Sequence, residues 1–273
     1  MNKPKKSSRK LDGLEQQIIE EYKTGISCNS LGKKYNVSNV TIINLLQRSG
    51  IARRTYHDAM TKYPYDEYFF EIIDTEEKAY FLGLMYADGY NNQKENSISL
   101  TLTDYELVES FRKALQTNHP IYEYGSSTRP GYIGKDCYSL KIFGKNISSN
   151  LANKGCYQGK SLTLKFPNEN VLPTQLIHHF CRGYFDGDGC IHIRKQGNNK
   201  VVHICGTEHF CMEMAKNLPV DSFVNRRHKA KIWFLGIYKM KDIYGFRDWL
   251  YKDAAIFLER KKELFFKNAL SDI

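Results

Sequence analysis

No apolar run in the 273 residues approaches the roughly 18 that a membrane-crossing helix needs, so a membrane-spanning class is excluded. The N-terminal stretch Lys3 to Lys10 is basic, with no apolar segment behind it, so no secretory leader is expected. Cysteine is scarce and scattered. There are seven, an odd number, and no Cys-x-x-Cys pair. That argues against a disulfide scaffold and for a reduced, intracellular protein. The chain begins with Met and carries no splicing-domain flanks, so an intein is not expected. Acidic residues are in deficit, 30 against 40 Lys and Arg, for a net charge of +10. Such a balance favours a polyanion, most often nucleic acid, although a generic basic surface gives the same number.

What the sequence has is apolar and aromatic content: 41% hydrophobic, with 19 Tyr and 15 Phe. This excludes a disordered chain and allows one large or two moderate cores beside a small accessory domain. It also has an internal repeat. Ala79-Tyr-Phe-Leu-Gly-Leu-Met-Tyr-Ala-Asp-Gly89 returns as Phe180-Cys-Arg-Gly-Tyr-Phe-Asp-Gly-Asp-Gly189. Gly83, Asp88 and Gly89 correspond to Gly183, Asp188 and Gly189, each 100 residues later. A unit this long is no solenoid repeat; it predicts a pseudo-twofold pair.

Residues 11–50 predict three short helices. Leu14, Ile18 and Tyr22 recur at helical spacing, Ser27 caps a second helix, and Ser38 caps a third after a turn at Asn36-Val37. That is a helix-turn-helix pattern. It resembles the helix-turn-helix of resolvases and invertases through Ile18-Ile-Glu-Glu-Tyr-Lys-Thr-Gly25, Leu31-Gly-Lys-Lys-Tyr-Asn-Val-Ser38 and Gly50-Ile-Ala-Arg-Arg54. On this reading Ser38, Asn39, Thr41 and Asn44 reach base edges, and Arg53 and Arg54 form a groove or phosphate arm. A helical bundle for protein contacts is the alternative. The expected domains are 1–55 for this element, 56–78 for an acidic linker and short approach helix, and 79–165 and 166–273 for the two repeats.

Within each repeat the pattern is helix, two strands, helix, two strands, helix. The fold class is therefore α+β, a pair of αββαββα units behind a small all-α domain. Ser97-Ile-Ser-Leu-Thr-Leu-Thr103 alternates cleanly, so Ile98, Leu100 and Leu102 face helices while Ser97, Ser99, Thr101 and Thr103 face outward. Lys141, His192, Arg194 and His203 fall on outward positions of other strands. Arg226, Arg227, Lys229 and Lys231 cluster around a strand turn. Polar and cationic side chains on an open sheet suit groove and phosphate contacts, and an ordinary wet sheet face is the alternative. Cys190, His192, His203 and Cys205 would share a face if their strands pair, a zinc-type donor set without the usual tight Cys turn.

The repeated helix carries small residues four apart, Gly83 and Ala87, then Gly183 and Gly187. Glycine costs about 1 kcal/mol in a helix interior, so it needs a packing reason, such as close approach of another helix. If the two stripes meet, Gly89 and Gly189 end the helices in left-handed conformations and Asp88 and Asp188 lie side by side. Paired carboxylates repel unless a cation intervenes, and a hard ion such as Mg²⁺ suits oxygen donors. Asp186 adds an acid whose counterpart is Tyr86; it reads as a local cap or a ligand-shell residue rather than a metal ligand.

The two stretches resemble the signature helices of LAGLIDADG homing endonucleases in their single-chain, two-motif form, over roughly residues 65 to 270. The resemblance implies Mg²⁺-dependent cleavage of both strands of a long, nearly palindromic DNA by a monomer, with Asp88 and Asp188 binding metal and 5′-phosphate ends left behind. It also implies a lysine beside each acid. Lys160 and Lys261, which follow their acids by 72 and 73 residues, are the candidates, against the alternative of solvated lysines. The chain departs from the signature at Tyr86 and Arg182, and Arg182 is expected off the packing stripe. A non-cleaving DNA-binding regulator and an RNA-splicing maturase are the other readings of the same scaffold. No obligate protein partner is expected.

Overall fold

The computed structural model describes residues 11–24, 26–53, 63–125, 128–129, 132–133, 135–193, 199–226 and 232–267. The chain divides into two compact units, Met1–Pro64 and Tyr65–Ile273. The first holds helices α1 (Glu15–Lys23), α2 (Cys28–Lys34) and α3 (Asn39–Arg48). Ser27 and Ser38 cap α2 and α3 by accepting from the Ser30 and Thr41 amides. Asn36, between them, has φ of 52°, a conformation that Asn tolerates. Ile18, Leu31, Ile42 and Leu46 form the buried centre.

The second unit is built on α4 (Glu76–Ala87) and α7 (Ile177–Asp188). Strands β1 (Gly89–Asn92), β2 (Ser97–Leu102), β3 (Tyr122–Tyr124) and β6 (Cys137–Phe143) form one antiparallel sheet in the order β1-β2-β6-β3. A short hairpin, β4 (Thr128–Arg129) and β5 (Tyr132–Ile133), interrupts the sequence. Strands β7 (Gly189–Ile193), β8 (Lys200–Gly206), β9 (Phe223–Arg226) and β10 (Trp233–Ile237) repeat the order as β7-β8-β10-β9. Helices α5 (Tyr105–Ala114) and α6 (Lys145–Asn153) belong to the first half; α8 (Glu208–Asn217), α9 (Met240–Leu250) and α10 (Glu259–Leu264) belong to the second. Ile98, Leu100, Leu140 and Ile142 from one sheet, and Val202, Ile204, Leu235 and Ile237 from the other, join one continuous core with the central helices.

The linker and approach helix expected over 56–78 fall partly outside the described residues, and residues 63–74 form a turn rather than a helix. The turn carries Phe69, Phe70 and Ile73 into the core. One expectation, the left-handed ends of the central helices, needs correction. The central helices do not end on left-handed glycines: neither Gly89 nor Gly189 has positive φ, and each opens a strand. Glycine is required there for space, since a Cβ would lie 2.6 Å from Met85 Cα at Gly89 and 2.6 Å from a Phe185 ring carbon at Gly189. Strand β1 gives no apolar alternation, because one of its inward positions is Asn91. That amide is buried, donating to the carbonyls of Ser148 and Cys156 at 2.9 Å and accepting from the Ser148 hydroxyl at 2.7 Å.

Candidate active site

Helices α4 and α7 cross where both lack side chains. A Cβ on Gly83 would lie 2.8 Å from the Tyr184 amide nitrogen, and one on Gly183 would lie 2.8 Å from the Tyr80 carbonyl carbon. Backbone therefore touches backbone. One turn further on, Gly187 packs on Ala87 and Asp88, and a Cβ there would lie 2.7 Å from Asp88 Oδ2. Thus the two motif acids come together at the C-terminal ends of the helices. Burial and the nearby Asp188 charge push Asp88 up to about 6, although Lys261 and Lys160 pull it down. Burial also raises Asp188, opposed by the Tyr184 hydroxyl and then the same two lysines. Asp88 keeps contact with solvent while protein packs round its carboxyl.

Both candidate lysines are buried, and each reaches the glycine after its own acid. Lys160, set by a left-handed Gly159, donates to the Gly89 carbonyl at 2.6 Å. Lys261 donates to Phe185, Gly187 and Gly189 carbonyls at 2.8, 2.9 and 2.7 Å. These are carbonyls at the end of α7 and the start of β7, where a cation offsets the helix dipole. Burial lowers Lys261, and Asp186 then Asp88 hold it up.

Buried charged residues support the site. Arg182 lies off the glycine stripe yet is fully buried. It donates to the carbonyls of Ile256 and Leu250 at 2.8 and 2.9 Å and pairs with Glu76 at the start of α4. Asp186 is buried, accepting from the Tyr80 hydroxyl at 2.7 Å and the Leu258 amide at 2.9 Å, and burial raises it to about 6. Arg260 was not anticipated; it forms a two-pronged pair with Asp104 at 2.7 and 2.8 Å. Only its place beside Lys261 pointed to it.

The outer sheet faces differ in chemistry. On the first, Thr101 is exposed and shares a hydrogen bond with Ser139 at 2.8 Å, Ser99 is half-buried, and Lys141 pairs with Glu95 at 3.1 Å. Thr103 is exposed just beyond β2. Ser97 corrects the expectation: it is buried, because its cross-strand partners Asn92 and Phe143 are larger and flank it. Exposed Tyr90, Tyr122 and Tyr124 add rings that the alternation argument missed. On the second face, His192 is exposed and its ring lies 5.8 Å from that of His203, which in turn neighbours Phe234 and Tyr238. Cys190 is cross-strand from His203, and its sulfur lies 3.4 Å from His192 Nε2. Among the described residues no three His, Cys, Asp or Glu side chains gather to hold a metal, so the zinc-type set with Cys205 does not form. Arg226 is exposed at the end of β9. Arg54, Arg194, Arg227, Lys229 and Lys231 lie outside the described residues.

In the first unit, Ser38, Asn39, Asn44 and Arg53 are exposed and Thr41 is half-buried. Ser38 Oγ is committed to capping the Thr41 amide at 3.2 Å. Val40, 55% exposed, joins this surface of α3.

No protein-family model matches the sequence. An uncharacterized protein of Methanocaldococcus jannaschii is 27% identical over 170 residues, which is 57% of this chain and 61% of that protein. The chain thus spans about three-fifths of the curated relative it matches. Among solved structures, the homing endonuclease I-WcaI bound to its DNA recognition sequence matches with a TM-score of 0.51 at 12% identity, over 72% of this chain and 90% of that one. The chain has the LAGLIDADG homing-endonuclease fold. Two further structures align more loosely. The meganuclease I-SmaMI on uncleaveable DNA gives a TM-score of 0.46 at 12% identity, over 71% of this chain and 88% of that one. The N-terminal LAGLIDADG domain of DUF199/WhiA gives 0.44 at 15%, over 78% and 98%. Among the described residues no helix is long and apolar enough to cross a membrane.

Proposed function

We propose that this chain is a site-specific endonuclease that lays a long duplex along its two sheets and hydrolyses a phosphodiester in each strand beside Asp88 and Asp188. The observation that carries this is the meeting of those two carboxylates at the ends of helices that cross through Gly83 and Gly183. Burial disfavours the charged form of both carboxylates, and the Asp188 charge adds to this at Asp88, so the pair gains from a hard cation and the donor set fits one. Asp88 and Asp188 would hold it; Mg²⁺, when bound, supplies a Lewis acid and lowers the pKa of water. The chain's own contribution is positional. Lys160 and Lys261 fix the glycine carbonyls behind the acids, and the hydroxyls and rings of the sheet faces read the duplex.

The first unit adds a second contact. On this reading α2 and α3 act as a helix-turn-helix, with Asn39, Val40 and Asn44 facing bases and Arg53 on the backbone. Val40 suits a thymine methyl. Tethering this unit to the nuclease raises affinity through effective concentration. A chain carrying both motifs acts as a monomer.

One observation favours a second reading, a DNA-binding protein on the same scaffold that does not cut. All three Lys261 N–H groups are taken by backbone carbonyls, as a purely structural lysine's would be. Incubating the protein with Mg²⁺ and a random double-stranded library, then sequencing new ends, separates the two. Cleavage at one recurring sequence with 5′-phosphate ends supports the nuclease; retained binding with no new ends supports the regulator.

A further inference from the structure

The residue two places before each motif acid ties the central helix to the segment that carries the lysine of the same half. In the first half the Tyr86 hydroxyl donates to the Lys154 carbonyl, at the turn where Gly155 takes φ of 97° and leads toward Lys160. In the second half Asp186 accepts from the Leu258 amide at 2.9 Å, immediately before the short helix that holds Lys261. The tie is thus equivalent, but its chemistry is not. Tyr86 is a neutral donor whose hydroxyl bonds within its own half, while its ring packs edge-on against Phe180 of the second half at 5.1 Å. Asp186 is an acid that also accepts from Tyr80 of the first half, and its Oδ1 has no hydrogen-bond partner. Next to Lys261, Arg260 grips Asp104 of the first half with two hydrogen bonds. At the position before Lys160 there is Gly159, with no side chain.

Building on the nuclease reading, we infer that Tyr86 and Asp186 are positioning residues, each setting the lysine of its own half, so that cleavage of the two strands can be altered one at a time. The acid that departs from symmetry in the sequence serves to place Lys261. Neither residue need touch DNA or cation. Displacement of a catalytic group by a fraction of an ångström suffices to slow its half-reaction.

The test uses the full chain and a duplex end-labelled separately on each strand, at saturating protein and Mg²⁺. Asp186→Ala is expected to slow one strand on the order of tenfold or more, with the other strand and the binding constant held within about threefold. Asp186→Asn keeps an oxygen acceptor for Leu258 and Tyr80 and should restore most of that rate. Tyr86→Phe should slow the opposite strand. Amide hydrogen exchange of the same variants should rise in residues 257–264 for Asp186→Ala and in 154–162 for Tyr86→Phe. If both variants slow both strands alike, or exchange rises in neither segment, the inference is overturned while the nuclease reading stands. A wild-type protein that cuts neither strand overturns the nuclease reading and this inference with it.

Discussion

Gly83 and Gly183 meet at the crossing of α4 and α7, each seated against the peptide backbone of the opposite helix. Neither position has room for a methyl group. On an exposed helix, Gly→Ala would stabilise by about 1 kcal/mol. Here the added carbon must push two backbones apart, so Gly83→Ala or Gly183→Ala should instead cost about 1–3 kcal/mol. Urea denaturation of each variant checks this. A higher midpoint than wild type would mean that the helices are not held this closely.

The ion pair of Arg182 with Glu76 spans the two halves, with Arg182 fully buried and Glu76 partly exposed. Removing the acid strands a buried charge. Glu76→Ala should therefore cost about 3–5 kcal/mol, whereas Arg182→Met leaves a carboxylate that solvent reaches and should cost less. In the double variant Arg182→Met with Glu76→Ala, the loss should fall well short of the sum. Additive losses in chemical denaturation would show that the pair is not coupled.

Asp88 titrates normally near 3.8 and about 6 in the folded chain. A carboxyl with a raised folded pKa binds its proton more tightly folded than unfolded, so between these values the folded state holds more protons. Stability in chelator should therefore fall as pH rises from about 4 to about 6, then level off. Asp88→Asn removes this loss. Its melting temperature should exceed that of wild type at neutral pH without divalent ions, and the gap should narrow in acid. A gap that widens in acid would reverse the assigned sign.

Asn44 and Arg53 lie on the exposed surface of the first unit. Arg53→Ala should weaken duplex binding and reduce the salt slope by about one unit, as loss of one phosphate contact would. Asn44→Ala should relax the binding preference while leaving the cleavage rate at saturation unchanged. Titrations at several salt concentrations decide this; an unaltered slope would take Arg53 off the DNA.

Much of this was legible in the sequence, for identifiable reasons. The central helices declared themselves because glycine inside an apolar helix needs a close neighbour, and the repeat supplied the neighbour. Ser27 and Ser38 marked helix starts because a hydroxyl that accepts from the third amide onward is a local signal. Arg182 was harder. A charged side chain in a helix reads as solvent-facing, and its burial depends on Glu76 and on carbonyls some 70 residues away in sequence. Strand β1 was hidden because its inward Asn91 is satisfied by distant carbonyls, which no alternation reports. Ser97 was misplaced because alternation gives the face of a side chain, not the size of its cross-strand neighbours. The end of each helix was misread for a similar reason: Gly89 and Gly189 serve clearance from Met85 and Phe185, not a left-handed turn.

The central claim is that Asp88 and Asp188 act together on DNA. The most direct measurement follows both strands of a bound duplex in Mg²⁺ with wild type, Asp88→Asn and Asp188→Asn, while a mobility shift records binding. Double-strand cleavage should be lost in each variant, with affinity for the duplex close to wild type. A variant that cuts both strands at the wild-type rate would contradict the account.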